Sequence, residues 1–289
     1  MGIILTPTQL KQLCNQYNLT PSKKYGQNYL ISDAPIRKMI EAGELTEEDT
    51  VVEIGPGFGV LTFAVAPLVK RVIAFEIEQK LREYWEEKQR AYPNVEVVWG
   101  NVLKEMQNAE CTMQHSSYKV LANLPYQITS HAIRTLLELE HKPERIVIMV
   151  QKEVADRICA PKGQMSLLAI SVQYYGTPKI VVNVPKGNFW PAPKVDSAVM
   201  SITDIQDRPH AEHFFRVVRA GFANKRKQVW RNLAVGLGLP GELIKHALQC
   251  AVDNEKVRAE ALSVEDWERL IQEFDVFRDD KDCAPLRVG

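Results

Sequence analysis

Four consecutive residues, Asn123-Leu124-Pro125-Tyr126, have the types needed to hold the exocyclic amino group of a flat base. The Asn123 amide oxygen can accept a hydrogen bond from such an amine. Pro125 has no N–H and a fixed φ, so the chain is stiff there and its carbonyl is expected to stay free as a second acceptor. Tyr126 offers a ring on which the base can stack. The apolar residues just before them (Tyr118, Val120, Leu121) read as a buried strand. The tetrapeptide then sits just past a strand's carboxyl end, where open α/β sheets bind ligands. A strand closing in an ordinary Asn-x-Pro turn would look the same, so the neighbouring elements must decide.

Strand-like and helix-like segments alternate from the first turn to about Tyr175. Strands are expected at 51–54, 72–75, 95–98, 120–121 and 145–150, with helices near 6–17, 58–69, 78–91 and 128–140. That alternation predicts an α/β fold with a parallel sheet covered on both faces. Two further β-rich stretches, 180–182 and 195–202, suit an antiparallel addition at the edge. After Asp204 no convincing strand follows. The expected domains are therefore 1–205 and a helical 206–289.

Three strand ends carry polar or glycine-rich chemistry. The first runs into Glu53-Ile54-Gly55-Pro56-Gly57-Phe58-Gly59, where glycines permit a tight turn and a close approach of ligand to backbone. Its G-x-G-x-G spacing differs from the G-x-G-x-x-G that seats a pyrophosphate. The second strand ends at Glu76, where an acid can take both ribose hydroxyls. The third ends at Gly100-Asn101, which can address an adenine edge. Together these ends describe a site for an adenosine-containing ligand that needs no phosphate.

With these motifs in place, the chain resembles the KsgA (RsmA) family of ribosomal RNA adenine N6,N6-dimethyltransferases over most of its length. Tyr25-Gly26-Gln27-Asn28-Tyr29-Leu30 is similar to that family's N-terminal cofactor motif, and Glu53 to Gly59, Glu76 and Asn123 to Tyr126 to its central ones. Gln151 to Ala155, Phe189 to Ser197, Lys225-Arg226-Lys227, Arg231-Asn232-Leu233 and Arg258-Ala259-Glu260 follow in the same order. The resemblance implies a Rossmann-like class I S-adenosylmethionine-dependent methyltransferase sheet with a small all-helical C-terminal domain. It implies S-adenosylmethionine as cofactor, held by Gln27, Asn28, Leu30, Glu53, Gly55, Gly57, Glu76, Ile77, Asn101, Val102 and Asn123. The implied reaction is transfer of two methyl groups to N6 of each of two adjacent adenosines near the 3′ end of small-subunit rRNA. One position departs: the family usually has Asp where this chain has Asn101, which predicts an altered cofactor affinity.

For transfer, Asn123 and the Pro125 carbonyl would hold the amine's hydrogens and aim its lone pair at the methyl group; the residues do this by alignment and fixed dipoles. A base in structured RNA must leave its stack to be reached, and Tyr126 with Phe189 is expected to clamp it. Leu124 completes the tetrapeptide. RNA phosphates are expected on Lys225, Arg226, Lys227 and Arg231, with Lys194 extending the basic surface.

The whole chain of 289 residues carries 36 basic and 36 acidic side chains, so any attraction to nucleic acid must come from such local clusters. Five scattered cysteines without a CxxC pair argue against a zinc site and a disulfide framework, and fit a reducing cytoplasm. The six histidines have no ligand-like spacing, and no metal is expected. No apolar run approaches the length of a membrane span. Nothing in the pattern suggests a dimer. Two other readings share many of these motifs: an Erm-like methyltransferase of large-subunit rRNA adenine, and a small-subunit assembly factor that binds without turnover.

Overall fold

Thr6 opens the first helix through a reciprocal cap, its hydroxyl accepting from the Gln9 N–H while the Gln9 side chain accepts from the Thr6 N–H. This helix, α1 (Pro7–Gln16), buries Leu10 and Cys14. The computed structural model describes residues 4–20, 28–102, 104–105 and 117–279, with the side chains of 275–279 left aside. Gln27, expected to hold cofactor, lies outside the described residues, as do Tyr25 and Gly26.

The chain divides into two compact units. The first comprises Met1–Cys159 and Tyr175–Asp207. After α1 it contains β1 (Tyr29–Leu30), α2 (Ala34–Gly43), β2 (Thr50–Ile54), α3 (Thr62–Val65), β3 (Arg71–Glu76), α4 (Arg82–Lys88) and β4 (Val95–Trp99). Then come β5 (Tyr118–Asn123), α5 (Thr129–Glu138), β6 (Arg145–Gln151), α6 (Lys152–Ile158), β7 (Thr177–Val184), β8 (Phe189–Trp190) and β9 (Ser197–Thr203). The main sheet has the order β4-β3-β2-β5-β6-β9-β7. Its first five strands are parallel, and β9 runs antiparallel to both β6 and β7. The order reverses between β2 and β5, and that switch point is where a doubly wound sheet opens a crevice.

Burial explains the strands. Every residue of β2 is buried, as are the first five of β5 and the central five of β6, the signature of strands covered on both faces. Lys119 lies among them, 8 % exposed, with Nζ 2.8 Å from Asp49 and donating to the Glu44 carbonyl at 2.7 Å. The single helix expected at 58–69 is instead α3 followed by a 3-10 turn at Ala66–Leu68. Pro67 lies in that turn, and its ring cannot continue a helix. The helix expected at 78–91 is likewise α4 flanked by 3-10 turns at Gln79–Leu81 and Gln89–Ala91. Sequence reading missed the two-residue pair β1–β8, which is too short for periodicity to register.

The second unit comprises Ala160–Tyr174 and Arg208–Gly289. Residues 160–174 therefore fall outside the sheet-bearing unit, and the boundary near 205 moves to 207. Its helices are α7 (Leu167–Gln173), α8 (Ala211–Gly221), α9 (Val229–Leu237), α10 (Gly241–Val252) and α11 (Val264–Asp279). Fully buried Trp267 anchors it, and Gly221 makes room: a Cβ there would lie 2.3 Å from the indole. Among the described residues no helix is long and apolar enough to cross a membrane.

Candidate active site

The residues at the carboxyl ends of β2, β3 and β5 line one pocket in the first unit. Its walls are Glu53, Gly55, Pro56 and Gly57 from the first turn, Glu76 and Ile77 from the second strand end, and Asn123 to Tyr126 from the fifth strand. Asn28, Tyr29 and Leu30 close it from the N-terminal side, with Phe58, Val60 and Leu61 behind the turn.

The glycine turn has a conformational reason for its composition. Gly55 has φ +70° and Gly57 φ +56°, in the left-handed region where a Cβ is penalised. A Cβ on Gly57 would also stand 3.1 Å from Tyr29 Cε1. The turn is held from behind by two side chains that sequence reasoning did not single out. Trp85 Nε1 donates to the Gly57 carbonyl at 3.0 Å, and the Tyr84 hydroxyl donates to the Phe58 carbonyl at 2.8 Å. Both are buried residues of α4, and two adjacent aromatics with polar tips were the available signal.

The two acids of the pocket differ in their donors. Glu76, 5 % exposed, accepts three backbone N–H groups: Gly57 on Oε2 at 3.0 Å, and Ile77 and Glu78 on Oε1, both at 2.8 Å. Burial pushes its carboxyl up, and these three donors oppose that. With three of roughly four lone-pair positions taken, about one remains for a ligand hydroxyl rather than two. Glu53, 3 % exposed, accepts from one side chain, the Thr62 hydroxyl at 2.6 Å on Oε2. Burial pushes it up to about 8; the Thr62 bond opposes the rise and the nearby Glu76 charge adds to it. Among the described residues no Lys, Arg or His lines the pocket.

At the other wall Asn123 Nδ2 donates to the Asn28 carbonyl at 3.2 Å, which leaves Oδ1 as the side chain's acceptor. Asn28 is placed by the β1–β8 pairing, in which Leu30 faces Phe189 and Ile31 N–H donates to the Asn188 carbonyl. The Pro125 carbonyl, expected to be free, accepts from the Ile128 N–H at 3.1 Å and the Thr129 hydroxyl at 3.2 Å. It closes the turn into α5 and is not an open acceptor. The Leu124 N–H is bound by the Met149 carbonyl, while the Leu124 carbonyl meets no donor among the described residues. That carbonyl is an open backbone acceptor of the tetrapeptide among the described residues. The Tyr126 hydroxyl is 2.7 Å from Ser197 Oγ, which pins the ring at the pocket wall.

Other expected site residues lie elsewhere. Phe189 is 3 % exposed, belongs to the hydrophobic core with Leu30 and Val184, and is not among the residues that line the pocket with Tyr126. An apolar ring in a strand pair gains more from burial, about 1.5–3 kcal/mol, than from facing solvent. Asn101 follows β4 and is exposed; Val102 is 6 % exposed, and neither is among the residues that line the pocket. Lys194 is exposed beside a shallow depression shared with Lys152 and Lys186.

In the second unit Lys225, Arg226 and Lys227 are all exposed, in the loop between α8 and α9. Buried Asn232 shapes that loop, donating to the Gly221 carbonyl at 2.6 Å and the Asn224 carbonyl at 3.0 Å. Arg231 stacks over Trp230 at 5.1 Å, and Lys245 lies over the same ring at 4.6 Å. Among the described residues no group of three or more His, Cys, Asp or Glu could hold a metal ion.

Comparison with known proteins identifies this arrangement. A family model described as ribosomal RNA adenine dimethylase matches residues 18–275. The chain belongs to that family, and it is a methyltransferase. The ribosomal RNA small subunit methyltransferase A of Dehalococcoides mccartyi is 42% identical over 270 residues, covering 92% of each chain. The protein of the same name from Bacillus pumilus is 38% identical, covering 92% of this chain and 96% of its own. Among solved structures, a dimethyladenosine transferase from Plasmodium falciparum superposes with a TM-score of 0.69 at 25% identity, over 86% of this chain and 97% of its own. The 23S rRNA methyltransferase ErmE gives 0.67 at 25% identity, over 86% and 100%. The sheet is accordingly that of the class I S-adenosylmethionine-dependent methyltransferases.

Proposed function

We propose that this methyltransferase uses S-adenosylmethionine to dimethylate N6 of two adjacent adenosines near the 3′ end of small-subunit rRNA. The observation that carries the reading is a single pocket bounded by the glycine turn on one side and by Asn123 to Tyr126 on the other. The residues present suit that cofactor: among the described residues two carboxyls and no basic side chain line the pocket, which favours a ligand with cationic groups over a phosphate. Glu76 would take a ribose hydroxyl on its remaining lone pair, and the Gly55–Gly57 backbone permits close approach. When bound, the cofactor supplies an electrophilic methyl group on a positively charged sulfur.

The chain's own residues supply alignment. Asn123 Oδ1 and the Leu124 carbonyl accept the two N6 hydrogens, which favours a tetrahedral nitrogen whose lone pair leaves the plane of the base. Tyr126, fixed by Ser197, offers its ring to one face of the base. No strong base is required, because an alkylated and cationic nitrogen gives up its proton readily. In the second unit Lys225, Arg226, Lys227 and Arg231 would meet phosphates, and in the first unit Lys194 would do the same. The substrate assignment rests on the small-subunit enzymes among the sequence relatives.

The test is methyl incorporation into undermethylated small subunits, followed by mass mapping of the rRNA 3′ end. Two dimethylated adenosines there support the proposal. Labelling confined to large-subunit rRNA would replace it with the activity that ErmE's name describes, and binding to subunits without incorporation would leave an assembly factor.

A further inference from the structure

The pocket's two acids are unequal, and the inequality points to a role for Glu53 beyond lining the cofactor site. Glu76 is bound by three backbone N–H donors that stabilise its ionised form. Glu53 has the Thr62 hydroxyl on Oε2, and no donor reaches its Oε1 among the described residues. It is nonetheless almost wholly withdrawn from solvent and lines the pocket. A buried carboxyl with one donor and a neighbouring acid holds its proton.

We propose that Glu53 is the pocket's charge sensor: neutral in the free protein, it loses its proton when the sulfonium cofactor enters, and so discriminates that cofactor from its thioether product. The inference rests on the proposed use of S-adenosylmethionine. The proton balance is simple: free protein with Glu53–COOH plus cationic ligand gives the complex with Glu53–COO⁻ and one proton passed to solvent. Strand order supports the placement. β2 lies between β3, which ends in Glu76, and β5, which ends in Asn123. A ligand reaching from the ribose site at Glu76 to the methyl acceptor at Asn123 therefore crosses Glu53. The thioether product carries one positive charge fewer there, so it offers the carboxyl less reason to ionise, and departure of product is accompanied by reprotonation.

Among the described residues the groups facing Glu53 are few. Thr62 comes from α3 and Glu76 from β3, while the pocket's two phenols, Tyr29 and Tyr126, are both pushed up by burial and stay neutral at ordinary pH. Among the described residues the lining includes no Lys, Arg or His. A carboxyl sitting at about 8 in the free protein supports the arrangement. Because binding releases a proton, affinity for the sulfonium cofactor rises with pH, by about tenfold per unit, and levels off near 8.

The experiment is calorimetric titration of the intact protein with S-adenosylmethionine, and separately with S-adenosylhomocysteine. It is run near pH 6.5, below the ligand amines' ordinary range of about 7.7–8.0, in buffers of different ionisation enthalpy. The expected result is about one proton released per S-adenosylmethionine bound and a clearly smaller number for S-adenosylhomocysteine. In Glu53→Gln the release should vanish and affinity should lose its pH dependence. Equal release with the two ligands, or undiminished release in Glu53→Gln, overturns the inference while leaving the cofactor reading intact. Absence of binding by either ligand overturns both. If Glu53→Gln does not fold, the two-ligand comparison on the unaltered protein decides by itself.

Discussion

The Gly57 N–H donates to Glu76 Oε2 over 3.0 Å, joining the glycine turn after β2 to the acid that ends β3. Two motifs 19 residues apart are thus one hydrogen-bonded unit. Glu76→Ala strips acceptors from three backbone N–H groups at once. It should lower S-adenosylmethionine affinity at least tenfold and stability by about 1–3 kcal/mol. Glu76→Gln keeps one amide oxygen as acceptor and should recover part of both. Calorimetry and thermal melting measure the two effects, and an unchanged affinity in Glu76→Ala would remove the residue from the cofactor site.

Asn123→Ala should lower the methylation rate by about 10²–10³-fold while leaving RNA affinity within a factor of about two. The separation is expected because Asn123 holds the reacting amine and contributes little to phosphate binding. Single-turnover rates and filter binding on the same preparation compare the two; losses of equal size would refute its assigned role.

Phe189 is a core residue, so Phe189→Ala should cost about 3–5 kcal/mol and lower the melting temperature markedly. Phe189→Leu should restore much of that stability, and with it the activity. A Phe189→Ala protein that melts normally but turns over slowly would restore the base-clamp role.

Replacing Lys225, Arg226 and Lys227 together by Ala should flatten the plot of log affinity for RNA against log salt, by close to one unit for each phosphate no longer neutralised. Their exposure means folding should be nearly unaffected. The same slope in the variant as in the parent would show that this loop does not meet the RNA.

Asp49 and Lys119 give a pH dependence to stability. Burial works against the Asp49 charge, but the Lys119 ammonium and the Thr46 N–H outweigh it and hold the carboxyl below the usual range. A depressed carboxyl stabilises the fold above its unfolded value, near 3.9, and that contribution is lost as pH falls through the folded value. Asp49→Ala leaves Lys119 buried with only the Glu44 carbonyl of its two acceptors, and should cost about 3 kcal/mol at pH 7. Denaturant titrations at pH 7 and pH 3 should show the difference between the proteins shrinking at the lower pH; a constant difference would contradict the pairing.

By itself the sequence determined the sheet, most of its strands and the three strand ends, at Glu53 to Gly59, Glu76 and Asn123 to Tyr126, that meet in the pocket. Buried parallel strands demand unbroken apolar runs, and ligand chemistry gathers at their carboxyl ends, so Glu53 to Gly59, Glu76 and Asn123 to Tyr126 could be picked out from local pattern. Tertiary structure decided how each polar atom is used, because hydrogen bonds are made between residues distant in the chain. Only folding shows that the Pro125 carbonyl is spent on α5, that the Leu124 carbonyl meets no donor among the described residues, and that Asn28 turns the Asn123 amide. Phe189 followed the same logic. Its strand pairing with Leu30 sends the ring into the core, a result that neither its type nor its proline-rich setting reveals.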